Sequence, residues 1–160
     1  MAERAGGGRA LPAVEEVSVD DVVLLRSAVL RPGLALDASR YAEDGDPGAH
    51  HLAVRGPDGR VVGCATYFPS PWPEGSPPVA GPAWRLRGMA SAEQVRGTGV
   101  GSALLLAGID LVTTAGGRLL WCNARSVALD FYRRHGFRIE PEEFLEPPMN
   151  VPHHRAWRPL

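Results

Sequence analysis

The sequence predicts an α/β protein in which a mixed sheet carries helices on both of its faces. Strand-like segments come first along the chain, and strands and helices alternate after them. An apolar helix that ends near Ala115 has hydrophobic residues on nearly every side, so we expect it to be buried. The continuous apolar run 119–123 is typical of a central strand. A chain of 160 residues without an internal repeat fits one domain.

The first half of this predicted domain holds short strands and helices. Residues 15–19 predict a short strand, and 22–30 have the apolar spacing of a helix that follows an aspartate cap. The mixed segment 34–46 predicts a second short helix. Segments 51–55 and 60–68 have strand patterns on either side of an Asp-Gly turn and therefore predict a hairpin.

A proline-rich connection leads from the hairpin to the next strand. Six prolines lie within 69–82, so this segment predicts an extended loop. Residues 84–90 alternate as a strand, which places a tryptophan and a leucine on one face and Arg85 and Arg87 on the other.

The C-terminal half predicts two helices and three strands. The buried helix begins near 100 and ends before two glycines, and 119–123 form the central strand that follows it. A serine caps a second helix over 126–134. Segments 137–139 and 154–158 predict a final pair of strands that brackets a loop rich in proline and glutamate.

Composition excludes several classes of function. The formal charge of -1 argues against a nucleic-acid or membrane-surface partner, and no apolar run approaches the roughly 18 residues that span a bilayer. All 17 basic residues are arginine, so lysine nucleophiles and lysine Schiff bases are excluded. Residues 1–12 lack the apolar core of a secretory signal and predict a disordered tail, which leaves 13–160 as the domain. Two cysteines in strand-like runs favour a reduced, cytoplasmic setting.

The segment 96–102, Arg-Gly-Thr-Gly-Val-Gly-Ser, predicts a phosphate site. Its three glycines allow backbone N–H groups to approach a ligand closely, and the helix that follows points further N–H groups and a partial positive charge at the same place. The P-loop pattern is excluded because no lysine follows, and the dinucleotide pattern lacks its third glycine at Ser102. A glycine-rich connector without a ligand is the alternative on this motif alone.

Two motifs together resemble the GCN5-related N-acetyltransferase (GNAT) superfamily. Arg96, Gly99 and Gly101 match its coenzyme A pyrophosphate pattern, Gln/Arg-x-x-Gly-x-Gly/Ala, after the fourth strand. From Asn123 to Phe137 the chain resembles the family pattern N-x-x-x-x-A-x-x-F-Y-x-x-x-G-F. The resemblance implies a single-domain GNAT fold, with a mostly antiparallel sheet and a V-shaped splay between strands 4 and 5.

The resemblance also implies direct transfer of an acetyl group from acetyl-CoA to an amine of a small molecule or peptide. Gly88 would permit a bulge that opens the splay, and main-chain groups beside it would lie along the acetyl-pantetheine arm. The glycine-rich segment would bind the pyrophosphate and Asn123 the pantetheine. The cofactor residues that follow are Met89, Ala90, Val95, Arg96, Gly97, Thr98, Gly99, Val100, Gly101, Ser102, Asn123 and Tyr132.

Two side chains are candidates for proton transfer. Tyr132, placed by the second motif, is the predicted general acid, and a core aromatic beside Phe131 is the alternative. His153 matches the histidine of a Pro-His segment in a bacterial branch of the family and is the predicted base. Two surface histidines at the start of a strand are the alternative. No zinc or other metal site is expected, because neighbouring strand residues point to opposite faces.

The acceptor is not identified by the sequence. Arg87, with Arg85, would bind an anionic group of the acceptor, unless these arginines are solvated or paired with Glu15 and Glu16. Trp72 is a further candidate for the acceptor groove.

Other functions of the same fold stay open at this point. A non-catalytic acyl-CoA sensor is the main alternative, since the strand 84–90 holds no carboxylate base. An interaction module with a decayed site is a third hypothesis. Family members often dimerise, so the resemblance is compatible with a homodimer. The sequence itself does not indicate the oligomeric state.

Overall fold

A computed structural model describes residues 9–160, and most of the predicted disordered tail lies outside these residues. The described residues form one seven-stranded sheet and three α-helices. The strands are β1 (Glu15–Val17), β2 (His50–Arg55), β3 (Val61–Pro69), β4 (Ala83–Ser91), β5 (Leu119–Arg125), β6 (Arg138–Glu146) and β7 (Val151–Pro159). The helices are α1 (Val19–Leu30), α2 (Val100–Thr114) and α3 (Leu129–Arg134).

The sheet has the strand order β1-β2-β3-β4-β5-β7-β6 and is antiparallel except between β4 and β5. These two strands pair over three positions, from Ala83 opposite Leu119 to Arg85 opposite Trp121. Beyond Arg85 they separate, and both continue as strands on the two sides of a gap. The mixed sheet and the predicted splay are therefore confirmed.

Gly88 forms a β-bulge just beyond the last paired residues. Cys64 pairs with Ala90 and Thr66 with Arg87, so that Gly88 and Met89 together face one residue of β3. Gly88 has a φ of 68°, and a Cβ atom there would lie 2.9 Å from the ring of Tyr41. Any other residue would be strained by this backbone and by this contact.

Helices cover both faces of the sheet, as predicted. Cys64 packs with Val22 of α1, whereas its neighbour Ala65 belongs to the cluster that contains Leu104 of α2. Because neighbouring strand residues point to opposite faces, α1 and α2 lie on different sides. Tyr67 is buried against α2 and donates a hydrogen bond to the carbonyl of Leu104 at 2.9 Å.

The segment between α1 and β2 is attached to the sheet by a buried ion pair. The guanidinium of Arg26, which is fully buried, donates two hydrogen bonds of 2.8 and 2.9 Å to the carboxylate of Asp44. It also donates to Thr66 on β3 and lies 4.2 Å from the centre of the Tyr41 ring. The predicted short helix at 34–46 is here two 3₁₀ turns, Leu36–Ser39 and Ala42–Gly45.

The C-terminal hairpin is longer than the sequence predicts. Residues 140–146 and 151–153, predicted as a loop, are strand in β6 and β7, so that prediction is wrong. β6 is an edge strand with largely exposed side chains, and it therefore lacks the alternation of apolar and polar residues that marks a half-buried strand. Pro141 lies at a register shift between Ile139 and Glu143, where a proline is tolerated.

The predicted helix over 126–134 is divided into a 3₁₀ turn, Ser126–Ala128, and α3. Within residues 9–160, no helix combines the length and the apolar character that crossing a membrane requires.

Candidate active site

A cavity of about 620 Å³ opens in the gap between β4 and β5. Its walls contain the bulge at Gly88 and the segment from Cys122 to Arg125. One end is closed by the glycine-rich loop before α2. The other end lies under the C-terminus of α1, at Leu30, and beside Glu146 at the end of β6. The cavity therefore reaches from the α2 side of the sheet to the α1 side.

The glycine-rich loop presents its backbone to the cavity. Gly97 and Gly99 have φ values of 77° and 92°, which glycine adopts without strain. The first helical hydrogen bond of α2 runs from the N–H of Ala103 to the carbonyl of Gly99. The N–H groups of the residues before Ala103 in the first turn have no partner within the helix, so they are available to an anion.

All the predicted cofactor residues except Thr98 line this cavity. The hydroxyl of Thr98 donates to the carbonyl of Val95 and thereby closes the turn of the loop. The lining residues among the predicted set are Met89, Ala90, Val95, Arg96, Gly97, Gly99, Val100, Gly101, Ser102, Asn123 and Tyr132.

Tyr132 lies on α3 with its hydroxyl beside the bulged strand. Its Oη is 3.8 Å from Sδ of Met89, and its ring packs edge-to-face against Phe131 and Phe137. Burial raises the pKa of Tyr132 well above its ordinary value, and the buried thiol of Cys122 adds to this effect. The phenol therefore keeps its proton throughout the neutral range and is a donor there.

His153 contacts a carboxylate that the sequence did not single out. Its Nε2 lies 3.1 Å from Oε2 of Glu146, and the amide of Asn123 donates to Oε1 of the same carboxylate at 2.8 Å. These three residues all line the cavity. β5, β6 and β7 bring them together, since Asn123 and His153 lie on strands that pair and Glu146 faces Val151.

The contacts of His153 fix where a proton lies. Nδ1 is 2.6 Å from the carbonyl oxygen of Val151, which only accepts, so Nδ1 carries a hydrogen and donates it. In the neutral ring Nε2 then carries no hydrogen, so this nitrogen can accept a proton at the cavity.

Glu146 was missed because its segment was predicted as a loop. The short-range pattern around it, Glu140 to Pro148, contains four glutamates and three prolines without alternation. No local signal separates Glu146 from the other three; only the pairing of β6 with β7 selects it.

Arg85 and Arg87 also line the cavity, on the face of β4 opposite the buried Trp84 and Leu86, as the alternation predicts. Their carboxylate partners are Glu146 and Glu43, not Glu15 and Glu16 as the alternative hypothesis has it. The latter two pair with Arg55 and His50.

Trp72 does not line this cavity. It lies in the proline-rich loop and packs edge-to-face on Trp121, with 6.2 Å between the ring centres. It lines a separate pocket formed mainly by that loop.

Comparisons with known proteins agree with the resemblance drawn from the motifs. The model of the acetyltransferase (GNAT) family matches residues 23–137, which include both motifs. The chain belongs to the GNAT acetyltransferase family. It is 33% identical over 134 residues to the uncharacterized N-acetyltransferase YitI of Bacillus subtilis, and the match covers 82% of this chain and 85% of the relative.

Solved GNAT structures share the fold. The structure described as histone acetyltransferase HPA2 and related acetyltransferase from Corynebacterium glutamicum superposes with a TM-score of 0.70 at 20% identity, over 94% of this chain and 98% of the other. An aminoglycoside 6'-N-acetyltransferase in complex with coenzyme A superposes with a TM-score of 0.70 at 12% identity, over 92% and 96% of the two chains. At these identities the likeness concerns the fold alone.

Membership of the GNAT family makes this protein an acetyl-CoA-dependent acyltransferase. The cavity combines a glycine-rich turn at a helix N-terminus, which suits an anion, with the side chains of Arg96 and Arg134 in its lining. Among residues 9–160, no group of three or more His, Cys, Asp or Glu side chains is placed to hold a metal ion.

Proposed function

We propose that this protein transfers an acetyl group from acetyl-CoA directly to an amine of a small molecule or peptide. The observation that carries the proposal is the common cavity. One wall offers backbone N–H groups at the start of α2, and the opposite parts offer a protonated phenol and a histidine–carboxylate pair. These are the groups that amine acetylation needs: an anion site, an acid and a base.

The glycine-rich turn is proposed to bind the pyrophosphate through backbone N–H groups, with Arg96 as a neighbouring cation. Asn123 is proposed to bind the pantetheine. Its Oδ1 is buried without a hydrogen-bond partner among the described residues, so it can accept from an amide N–H of that arm. The main chain of Met89, in the bulge, and of Ala90, just after it, is proposed to hold the thioester.

Acetyl transfer forms a C–N bond and breaks the C–S bond of the thioester. The acceptor nitrogen loses one proton, and the leaving sulfur gains one. Tyr132 is proposed to supply the proton to sulfur, because its hydroxyl lies beside Met89 and stays protonated at neutral pH.

His153 and Glu146 are proposed to receive the proton of the amine. Nε2 of the neutral ring is the proposed base, and the carboxylate 3.1 Å from it stabilises the charge that the ring gains. The Nδ1 contact with Val151 holds the ring so that Nε2 is the atom that reacts. The acyl-CoA sensor was the main alternative because β4 holds no carboxylate base. Glu146 on β6 is proposed to supply that carboxylate.

Two measurements test the proposal. Calorimetry with acetyl-CoA on the purified protein should show saturable binding, and thiol release with a panel of amines should show turnover. Binding without any turnover across a broad panel would favour the acyl-CoA sensor instead. Absence of binding would contradict both functions.

A further inference from the structure

We propose that the acceptor amine carries a carboxylate or phosphate group, which binds to the guanidinium groups of Arg85 and Arg87. This inference rests on the proposed function and names the class of acceptor. It starts from the charges at the end of the cavity that lies under α1, called here the acceptor end and defined by Arg31, Arg85, Arg87 and Arg125.

Positive charge exceeds negative charge at the acceptor end. Arg87 pairs with Glu43 at 3.1 Å, and Arg85 lies 3.6 Å from Glu146. Arg31 and Arg125 instead donate to the backbone carbonyls of Ala38 and Leu30. In the part of the chain that the structure describes, neither of these two has a carboxylate within 4.0 Å.

Four guanidinium groups thus face two carboxylates, in a protein whose total formal charge is -1. A local surplus of this kind in a cleft attracts an anion.

The phosphates of acetyl-CoA would not neutralise this surplus. Their proposed site is the glycine-rich loop, where Arg96 and Arg134 line the cavity. Arg87 lies on the other side of the sheet, because Leu86 beside it packs in the cluster of α2 and neighbouring strand residues point to opposite faces. Its contact with Glu43 in the segment after α1 agrees with this placement.

Both guanidinium groups lie over aromatic rings. Cζ of Arg87 lies 4.0 Å from the centre of the Tyr41 ring, and Cζ of Arg85 lies 4.9 Å from that of Trp121. Stacking fixes a guanidinium plane and leaves its N–H groups at the edge, where two of them can meet the two oxygens of a carboxylate or phosphate.

Arg85 also has an unused donor. Its Nε is buried and has no hydrogen-bond partner among the described residues, and its 3.6 Å contact with Glu146 is longer than a hydrogen bond. Buried donors are normally paired in proteins. An anionic oxygen of a bound acceptor would supply the missing partner.

Matched pairs of amines test this inference. The pairs are L-leucine and L-leucinamide, L-phenylalanine and L-phenylalaninamide, β-alanine and β-alaninamide, and O-phosphoethanolamine and ethanolamine. Thiol release from acetyl-CoA gives kcat/KM for each amine. In at least one pair, we expect the amine that carries a carboxylate or phosphate to have a kcat/KM at least tenfold higher than its partner without that group. The amino acid pairs test recognition of a carboxylate, and the O-phosphoethanolamine pair tests recognition of a phosphate.

Substitutions of Arg87 test whether this residue causes the difference in kcat/KM between paired amines. Arg87→Gln should lower kcat/KM at least tenfold for the anionic amine and leave the neutral amine within twofold. Arg87→Lys keeps the charge without the planar fork and should give a smaller loss. Arg60→Gln is the control, because Arg60 is exposed and its ion-pair partner is Asp58 in the hairpin turn. Thermal unfolding of each variant confirms that it is folded.

Each outcome decides the inference. Equal or better use of the neutral amines, or equal losses for both members of a pair in Arg87→Gln, would overturn it. Binding of acetyl-CoA without acetylation of any anionic amine would overturn it too, while leaving the neutral acceptors to be tested for the proposed function. A protein that binds no acetyl-CoA would overturn the proposed function itself and this inference with it.

Discussion

Nε2 of His153 lies 3.1 Å from Oε2 of Glu146, in the wall of the cavity between β4 and β5. If the pair is the base, Glu146→Gln removes the negative charge that stabilises the protonated imidazole. We expect kcat to fall more than tenfold at pH 7. Acetyl-CoA affinity, measured by calorimetry, should change by less than threefold.

Glu142→Gln is the matched control for this variant. Glu142 lies on the same edge strand, is exposed, and makes no side-chain hydrogen bond or ion pair among the described residues. It should keep the wild-type kcat. A Glu146→Gln enzyme with the kcat of the wild type would remove the carboxylate from the proton transfer, whatever its effect on stability.

Tyr132→Phe removes the proposed acid and leaves the packing of the ring. We expect kcat to fall more than tenfold with acetyl-CoA affinity nearly unchanged, because the hydroxyl acts on the leaving sulfur rather than on binding. The raised pKa of Tyr132 also predicts that kcat does not decline between pH 7 and 9 through loss of the phenolic proton.

Tyr67→Phe makes the same chemical change away from the cavity. It removes the hydrogen bond to the carbonyl of Leu104, so it should lower the free energy of unfolding by about 1 kcal/mol without a change in kcat. Equal kcat for Tyr132→Phe and the wild type would leave Tyr132 as a core aromatic.

The sequence predicted correctly those elements whose residues show a local pattern of their own. The alternation around Arg85 and Arg87, the apolar helix α2 and the glycine-rich turn each carry their own signal, and the structure has them where they were predicted. Glu146 carries no such signal, because an edge strand with exposed side chains has no characteristic periodicity. Its position beside His153 follows from the long-range pairing of β6 with β7, which the pattern of neighbouring residues does not reveal.

Gly97→Ala tests the glycine-rich turn. Gly97 has a φ of 77° and no atom within 4 Å of an added Cβ, so alanine fits but strains the backbone. We expect about 1 kcal/mol of destabilisation and, because the N–H groups of the turn are displaced, at least a tenfold weaker acetyl-CoA affinity by calorimetry.

Gly116→Ala is the matched control. Gly116 follows α2 with a φ of 89°, and an added Cβ there also has no atom within 4 Å. Its backbone strain should be similar, whereas acetyl-CoA affinity should not change, since Gly116 does not line the cavity. Equal affinities in the two variants would show that the turn does not bind the co-substrate.

Asp44→Asn tests the buried ion pair that anchors the segment beside the acceptor end. The variant leaves the fully buried guanidinium of Arg26 without its countercharge, so we expect the free energy of unfolding at pH 7 to fall by about 3 to 5 kcal/mol. Asp58→Asn, at the exposed pair with Arg60, should cost less than about 1 kcal/mol. Urea unfolding measures both.

The ion pair between Arg26 and Asp44 also predicts how the free energy of unfolding changes with pH. Burial alone would raise the pKa of Asp44, but the hydrogen bonds from Arg26 and from the N–H of Tyr41 outweigh it, and the pKa lies below its ordinary value. A depressed pKa in the folded state means that the stabilisation is complete above the ordinary value of about 4 and is lost as the pH falls through the folded-state pKa. The difference between wild type and Asp44→Asn should therefore be constant from pH 5 to 7 and shrink below pH 4; a difference that grows in acid would show that the charge of Asp44 does not stabilise the fold.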